Sequence, residues 1–363
     1  VTSAEDTIVD QEKPDDSAKT RIMDATVGKL GGIASNAEER LKALMKIMPS
    51  GKDLNPKDML AAISDEDNYV ELKDRMLAWW HGDEVAIKDD SPKQKITVSK
   101  KTLPDPNEWT PERFQVVQKI WGEGYMEPGG PAFARRLLSP AKIDSKKTVL
   151  DISAKLGGTA MLIARDAGLY MEAWESHPGL AKKARNYINS MGLGQRIPLE
   201  VIDYDKVSLK KNKYDVIYSR ERLFSVKDKK SLLGKIGPSI KPSGFFLFTD
   251  LMVNDPDANA KEIAAWSAAE RHDVFPWTEE LYKAVLKNCG YGIWASHDFS
   301  KEYLEHIHAG WHKVVREIEV GKFDRKFIDY LMQEGEIWLA RARALENGTL
   351  QVKRIQATSP QAD

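Results

Sequence analysis

Cysteine is nearly absent: the 363-residue chain has one, Cys289. A single thiol excludes an intramolecular disulfide and any zinc site built on cysteines, which leaves it the role of a small buried apolar group. No apolar run approaches the roughly 18 residues that a membrane-crossing helix needs, so no transmembrane segment is expected. No stretch has the pattern of a secretory signal, and a reducing cytoplasm is the expected setting. An excess of either charge is missing too. Lys and Arg total 54 against 55 Asp and Glu, a formal net charge of −1, so nothing pulls the chain as a whole toward nucleic acid or an anionic membrane. The basic loop Lys206, Lys210, Lys211 and Lys213 has no interleaved aromatics to stack on bases and reads as solvated. At this length the chain can bury a full core in one large domain or two.

The chain is organised around Thr148-Val149-Leu150-Asp151-Ile152-Ser153-Ala154-Lys155-Leu156-Gly157-Gly158. A short apolar run ends in an acid, passes a small-residue turn and enters a helical pattern at Met161, Leu162 and Ala164. That is a buried strand, a tight loop and a helix, the opening of a nucleotide-binding α/β unit. Such a loop presents backbone N–H groups and a helix N-terminus to a ligand. Further on, Tyr170-Met171-Glu172-Ala173-Trp174-Glu175 reads as a second strand ending in an acid. A carboxylate there can accept from the hydroxyls of a ribose. Strands are predicted near 147–153, 170–175, 198–203, 214–219 and 244–250, with helices near 158–166, 179–191 and 227–240. This alternation argues for a parallel sheet.

The order Val149-Leu150-Asp151-Ile152, Gly157-Gly158, Glu175, Asp203 and Lys241-Pro242-Ser243-Gly244 through Asp250 resembles class I S-adenosylmethionine (SAM) dependent methyltransferases. Upstream, Trp121-Gly122-Glu123-Gly124-Tyr125-Met126-Glu127-Pro128-Gly129-Gly130 is similar to the segment before the first strand in phosphoethanolamine-type N-methyltransferases and their bacterial relatives. The resemblance implies a seven-stranded, mostly parallel Rossmann-like sheet and SAM as cofactor. It places Asp151, Gly157 and Gly158 in the cofactor loop, Glu175 at the ribose and Asp203 at the adenine. The chain departs from the family in that loop. Ser153 and Lys155 stand where the family has glycines, and Glu127 replaces a small hydroxyl residue. Glycine permits positive φ and close approach of a ligand to the backbone. Lys155 is expected to occupy or rim the space for the methionine end of SAM, pairing with Asp151, Glu127 or Glu123.

Residues 1–90 read as an all-helical N-terminal extension whose first ~17 residues form an acidic, polar tail unable to offset its own ordering entropy. Trp79-Trp80 within it is either core or an anchor for a protein partner. Residues 91–145 are a linker, with a possible edge strand at Ile96-Thr97-Val98, and a helical lead-in opened by Thr110-Pro111. Residues 146–363 are the methyltransferase-like domain: 256–288 largely helical with a fresh helix start at Pro276-Trp277-Thr278-Glu279-Glu280, a sixth strand at 291–297, a helical insertion over about 300–346 and a last strand at 351–357.

His308 and His312 share a helix face, but no acid or cysteine completes a metal set, and no metal site is expected. Arg220-Glu221-Arg222 is either a local ion-pair cluster or part of the site, and Asp250 either an acceptor-side carboxylate or a loop anchor. Glu334, Glu336, Arg341 and Arg343 alternate in sign and are expected on a solvated, ion-paired helix face. Two functions compete. The favoured one is a non-catalytic scaffold or accessory subunit, a pseudoenzyme without cofactor, docking a protein partner through residues 1–90. The alternative is an active SAM-dependent N- or O-methyltransferase of a small molecule, in which positioning supplies most of the rate.

Overall fold

The computed structural model describes residues 108–320 and 325–359. The expected extension at 1–90, its polar tail, Trp79-Trp80 and the edge strand at 96–98 lie outside the described residues.

Thr110 accepts a hydrogen bond from the Arg113 N–H at 3.3 Å, and Pro111 takes the first turn, which together start α1 (Pro111–Trp121). α2 (Gly130–Leu138) follows the Gly129-Gly130 turn. The sheet then alternates with helices: β1 (Val149–Asp151), α3 (Gly158–Ala167), β2 (Met171–Glu175), α4 (Pro178–Ser190), β3 (Leu199–Val201), β4 (Tyr214–Arg220), α5 (Lys229–Ile236) and β5 (Ile240–Val253). α6 (Ala260–Ala269), α7 (Glu279–Asn288), β6 (Gly292–Asp298), α8 (Ser300–Val320), α9 (Arg325–Glu346) and β7 (Leu350–Thr358) complete the described part.

Among the described residues the strands form one seven-stranded sheet in the order β3-β2-β1-β4-β5-β7-β6. β7 runs antiparallel to both its neighbours, and the remaining pairings are parallel. The strand order reverses between β1 and β4, so the crevice at their carboxyl ends is where such a sheet holds ligands. All three residues of β1 are buried, as a strand covered by helices on both faces must be.

One expectation needs correction. Lys241-Pro242-Ser243-Gly244 does not precede the fifth strand, expected near 244–250 but running from Ile240. It is an irregularity inside β5, where the register against β4 shifts between the Tyr214–Ile240 and Val216–Phe245 pairs and Ser243 takes φ 66°. The 256–288 stretch is largely helical as expected: α6 and α7 are separated by the 270–278 segment, and the Thr278 cap makes the fresh start of α7. α9 packs on α1 and α6, and the Trp121 and Trp338 rings lie 4.4 Å apart, so the helices between β6 and β7 form a cap over the sheet's carboxyl edge. No described helix is long and apolar enough to cross a membrane.

Candidate cofactor site

The loop after β1 keeps a glycine-type backbone around non-glycine side chains. Lys155 sits at φ 49° and Gly157 at φ 86°, both left-handed. For lysine that conformation costs roughly 1–2 kcal/mol. Gly158 is required for a different reason: its N–H donates to the Gly124 carbonyl at 2.9 Å, and a Cβ there would lie 2.4 Å from that oxygen. The upstream motif and the loop are thus locked backbone to backbone.

Ser153 is built in. Asp151 Oδ1 accepts from the Ser153 N–H and Oγ–H, both at 2.8 Å, and Ser153 Oγ accepts from the Arg220 N–H at 2.8 Å. The hydroxyl therefore ties the β1 loop to the end of β4, which glycine could not do. Burial pushes the Asp151 carboxyl up to about 6 against these bonds, and its Oδ2 has no hydrogen-bond partner.

The two carboxylates over the loop are occupied. Lys155 Nζ forms an ion pair with Glu127, both nearly buried. Burial pushes Glu127 up, but Lys155 and Arg220 outweigh it and hold the carboxyl below its ordinary range. Glu175 is fully buried. Its Oε2 accepts from the Lys155 N–H at 3.0 Å and from Arg222 Nη2 at 2.8 Å, and its Oε1 from the His177 N–H at 2.9 Å and Ser176 Oγ at 3.4 Å. Burial works against the Arg222 charge, yet Glu175 keeps its guanidinium firmly protonated. Arg220 donates to the Pro128 carbonyl at 2.6 Å and pairs with Glu221 at 3.3 Å.

These groups form the sheet-side wall of a cavity of about 500 Å³, lined there by Lys155, Glu175, Glu221 and Arg222. The opposite wall comes from α1, the 270–275 segment and α9. There Arg341 grips Glu270 with two bonds at 2.7 and 2.8 Å, and one Glu334 oxygen faces both Arg113 (3.3 Å) and Arg271 (3.4 Å). Glu334 and Arg341 correct the expected solvated face. They share one helix stripe with Trp338, and that stripe turns inward. His272 reaches solvent through the cavity, but the protein around it pushes the imidazole down to about 4.

Asp151, Ser153, Lys155, Gly157, Gly158 and Glu175 thus come together. Asp203 does not join them: it is exposed, pairs with Lys206 at 2.9 Å and lies outside the cavity lining. Asp250 is also away from the lining, buried against the Tyr282 hydroxyl at 2.6 Å. Sequence reasoning missed Arg222 as the partner of Glu175, although the Arg220-Glu221-Arg222 triplet was the signal for it, and missed His272, which carried none. His308 pairs with Glu346 at 3.6 Å, and among the described residues no His/Cys/Asp/Glu group could hold a metal.

Residues 129–296 match the family described as "Methyltransferase domain". This part of the chain is a methyltransferase domain. The chain is 26% identical over 235 residues to the phosphoethanolamine N-methyltransferase of Plasmodium falciparum, spanning 63% of this chain and 86% of that protein. It is 24% identical over 216 residues to phosphoethanolamine N-methyltransferase 1 of Zea mays, spanning 60% of this chain and 40% of that one. In fold it is similar to Haemonchus contortus phosphoethanolamine N-methyltransferase 2, solved with phosphomonomethylethanolamine and S-adenosylhomocysteine (TM-score 0.59, 18% identity, 68% of this chain and 57% of that one). It is similar also to the [4+2]-cyclase SpnF (TM-score 0.52, 14% identity, 69% of this chain and 93% of that one). The methyltransferase domain fold is therefore shared by proteins named for different reactions, and chemistry has to be argued from the site.

Proposed function

We propose that this protein is a methyltransferase-fold accessory or scaffold subunit of a protein assembly, with a cavity that no longer takes SAM in the family's way. One observation carries the reading: the carboxylate that would accept the ribose hydroxyls already accepts four hydrogen bonds from Lys155, Ser176, His177 and Arg222. An ionised carboxylate offers about four lone-pair sites, so a ribose must displace Arg222 or the loop itself. Lys155 adds to this at the other end. Its side chain lines the cavity with Nζ held by Glu127, so it takes up room at the methionine end of SAM.

In a titration calorimeter the full chain is expected to give no binding heat with SAM or S-adenosylhomocysteine at millimolar concentration. Lys155→Gly together with Arg222→Ala should acquire binding. Micromolar affinity of the unaltered chain for SAM would overturn the reading. Docking through residues 1–90 belongs to the same proposal. Deleting them should abolish co-purification of the partner and leave a remainder that unfolds cooperatively; a remainder that cannot fold refutes it.

The second reading, a SAM-dependent N- or O-methyltransferase of a small molecule, is favoured by the backbone. The loop keeps left-handed conformations at 155 and 157, and the cavity of about 500 Å³ is large enough for a small ligand. Methyl transfer to a small-molecule amine or hydroxyl by the purified chain would establish it.

A further inference from the structure

Lys229 is fully buried at the first turn of α5, outside the cavity lining. Its Nζ donates to the Val226 carbonyl at 2.8 Å and to the Phe275 carbonyl, and lies 5.1 Å from the Trp277 ring. A buried ammonium needs such partners, since three donors left dry are costly. The partners are telling. Val226 ends the segment that carries Arg222 and Phe224, and Phe275 ends the one that carries Arg271, His272 and Asp273. Both segments line the cavity. The Phe275 N–H also donates to the Phe224 carbonyl at 2.6 Å, and the Val253 N–H to the Trp277 carbonyl at 3.1 Å. The 270–278 segment has no helix or strand pairing of its own; its start is held by the α9 pairs to Glu270 and Arg271, and these ties hold its 275–277 end.

We infer that Lys229 is a positioning residue, the latch that holds the 271–275 wall of the cavity against the segment following β4. The inference does not depend on whether SAM binds. Asp250 of β5 is the carboxylate facing the lysine, with Tyr282 of α7 bonded to it and Glu221 beyond. Burial lowers the lysine to about 8, opposed by Asp250. Burial likewise raises Asp250 to about 7, opposed by Tyr282 and Lys229. The sign of the linkage follows. An open wall returns the lysine toward its ordinary 10.5, so the closed wall binds this proton less tightly. Closure is therefore favoured as pH rises above about 8.

Amide hydrogen exchange on the full chain tests the latch. Lys229→Met should speed exchange over 271–277 roughly tenfold or more relative to the sheet amides of Ile217 and Phe246, because two charge-assisted bonds are lost. In the unaltered chain the protection of the wall, referenced to the sheet, should rise above about pH 8, and Lys229→Met should lack that rise. Lys229→Gln, which retains a donor, keeps the test open if the methionine variant fails to fold, and should fall between the two. Unchanged exchange at 271–277, acceleration spread evenly over the sheet, or a pH rise in the variants equal to that of the unaltered chain overturns the inference.

Discussion

The two walls of the cavity are both lined by ion pairs, but the pairs do different things. On the sheet side the loop after β1 is left-handed at 155 and 157 and locked through Gly158 to Gly124. Lys155 on that loop and Arg222 in the segment after β4 sit on the two carboxylates, Glu127 and Glu175. On the cap side, Arg341–Glu270 joins α9 to the end of α6, and Arg113–Glu334 joins α1 to α9. The cap pairs hold elements together; the sheet pairs fill a site whose frame is already held by backbone hydrogen bonds. Backbone bonds thus hold the frame of one wall, and side-chain ion pairs hold the other together.

If that contrast is right, breaking a cap pair costs more stability than editing the sheet wall. The largest effect is expected for Arg341→Ala, which leaves Glu270 buried and unpaired and should cost about 3–5 kcal/mol in urea unfolding. A loss below about 1 kcal/mol would mean the cap does not depend on this pair.

Next comes the pH dependence of Asp151. Its carboxyl is raised by burial to about 6 from an ordinary 3.8. The folded state then binds more protons than the unfolded one between these values, so this group makes stability fall as pH rises from about 4 to 6. The change is on the order of 2–3 kcal/mol. Asp151→Asn keeps an acceptor for Ser153 and should flatten that part of the stability–pH curve; an unchanged curve refutes the assignment.

The smallest effect is expected for Lys155→Gly combined with Glu127→Gln. Relief of a left-handed lysine, roughly 1–2 kcal/mol, offsets loss of the pair, so the double variant should unfold within about 1 kcal/mol of the parent. A loss of several kcal/mol would show that the pair holds the loop, as the cap pairs hold the helices.

Much of the fold was legible because its signals are local. β1, β2 and β4 are apolar runs, and Thr110-Pro111 and Thr278 announce helix starts. The acid ending β2, Glu175, could be read as a strand-ending carboxylate, and it does lie beside the loop after β1. The acid near β3, Asp203, carries the same local signal but lies exposed beside Lys206, because exposure at a sheet edge is set by what packs beyond it. Glu334 and Arg341 misled in the opposite direction: alternating charges looked solvated, and only the docking of α9 on α1 turned them inward.

The sequence by itself determined the strand–loop–helix unit, the sheet class and the departures at Ser153, Lys155 and Glu127, since strand pattern and the identity of a loop residue need no partner to be read. Tertiary structure alone decided that Lys155 meets Glu127, that Arg222 saturates Glu175, and that Lys229 ties the cavity wall through Phe275. Those contacts join positions from about 28 to 47 residues apart. Which charges meet over such separations depends on how the strands are ordered and the helices docked, and no local propensity records that.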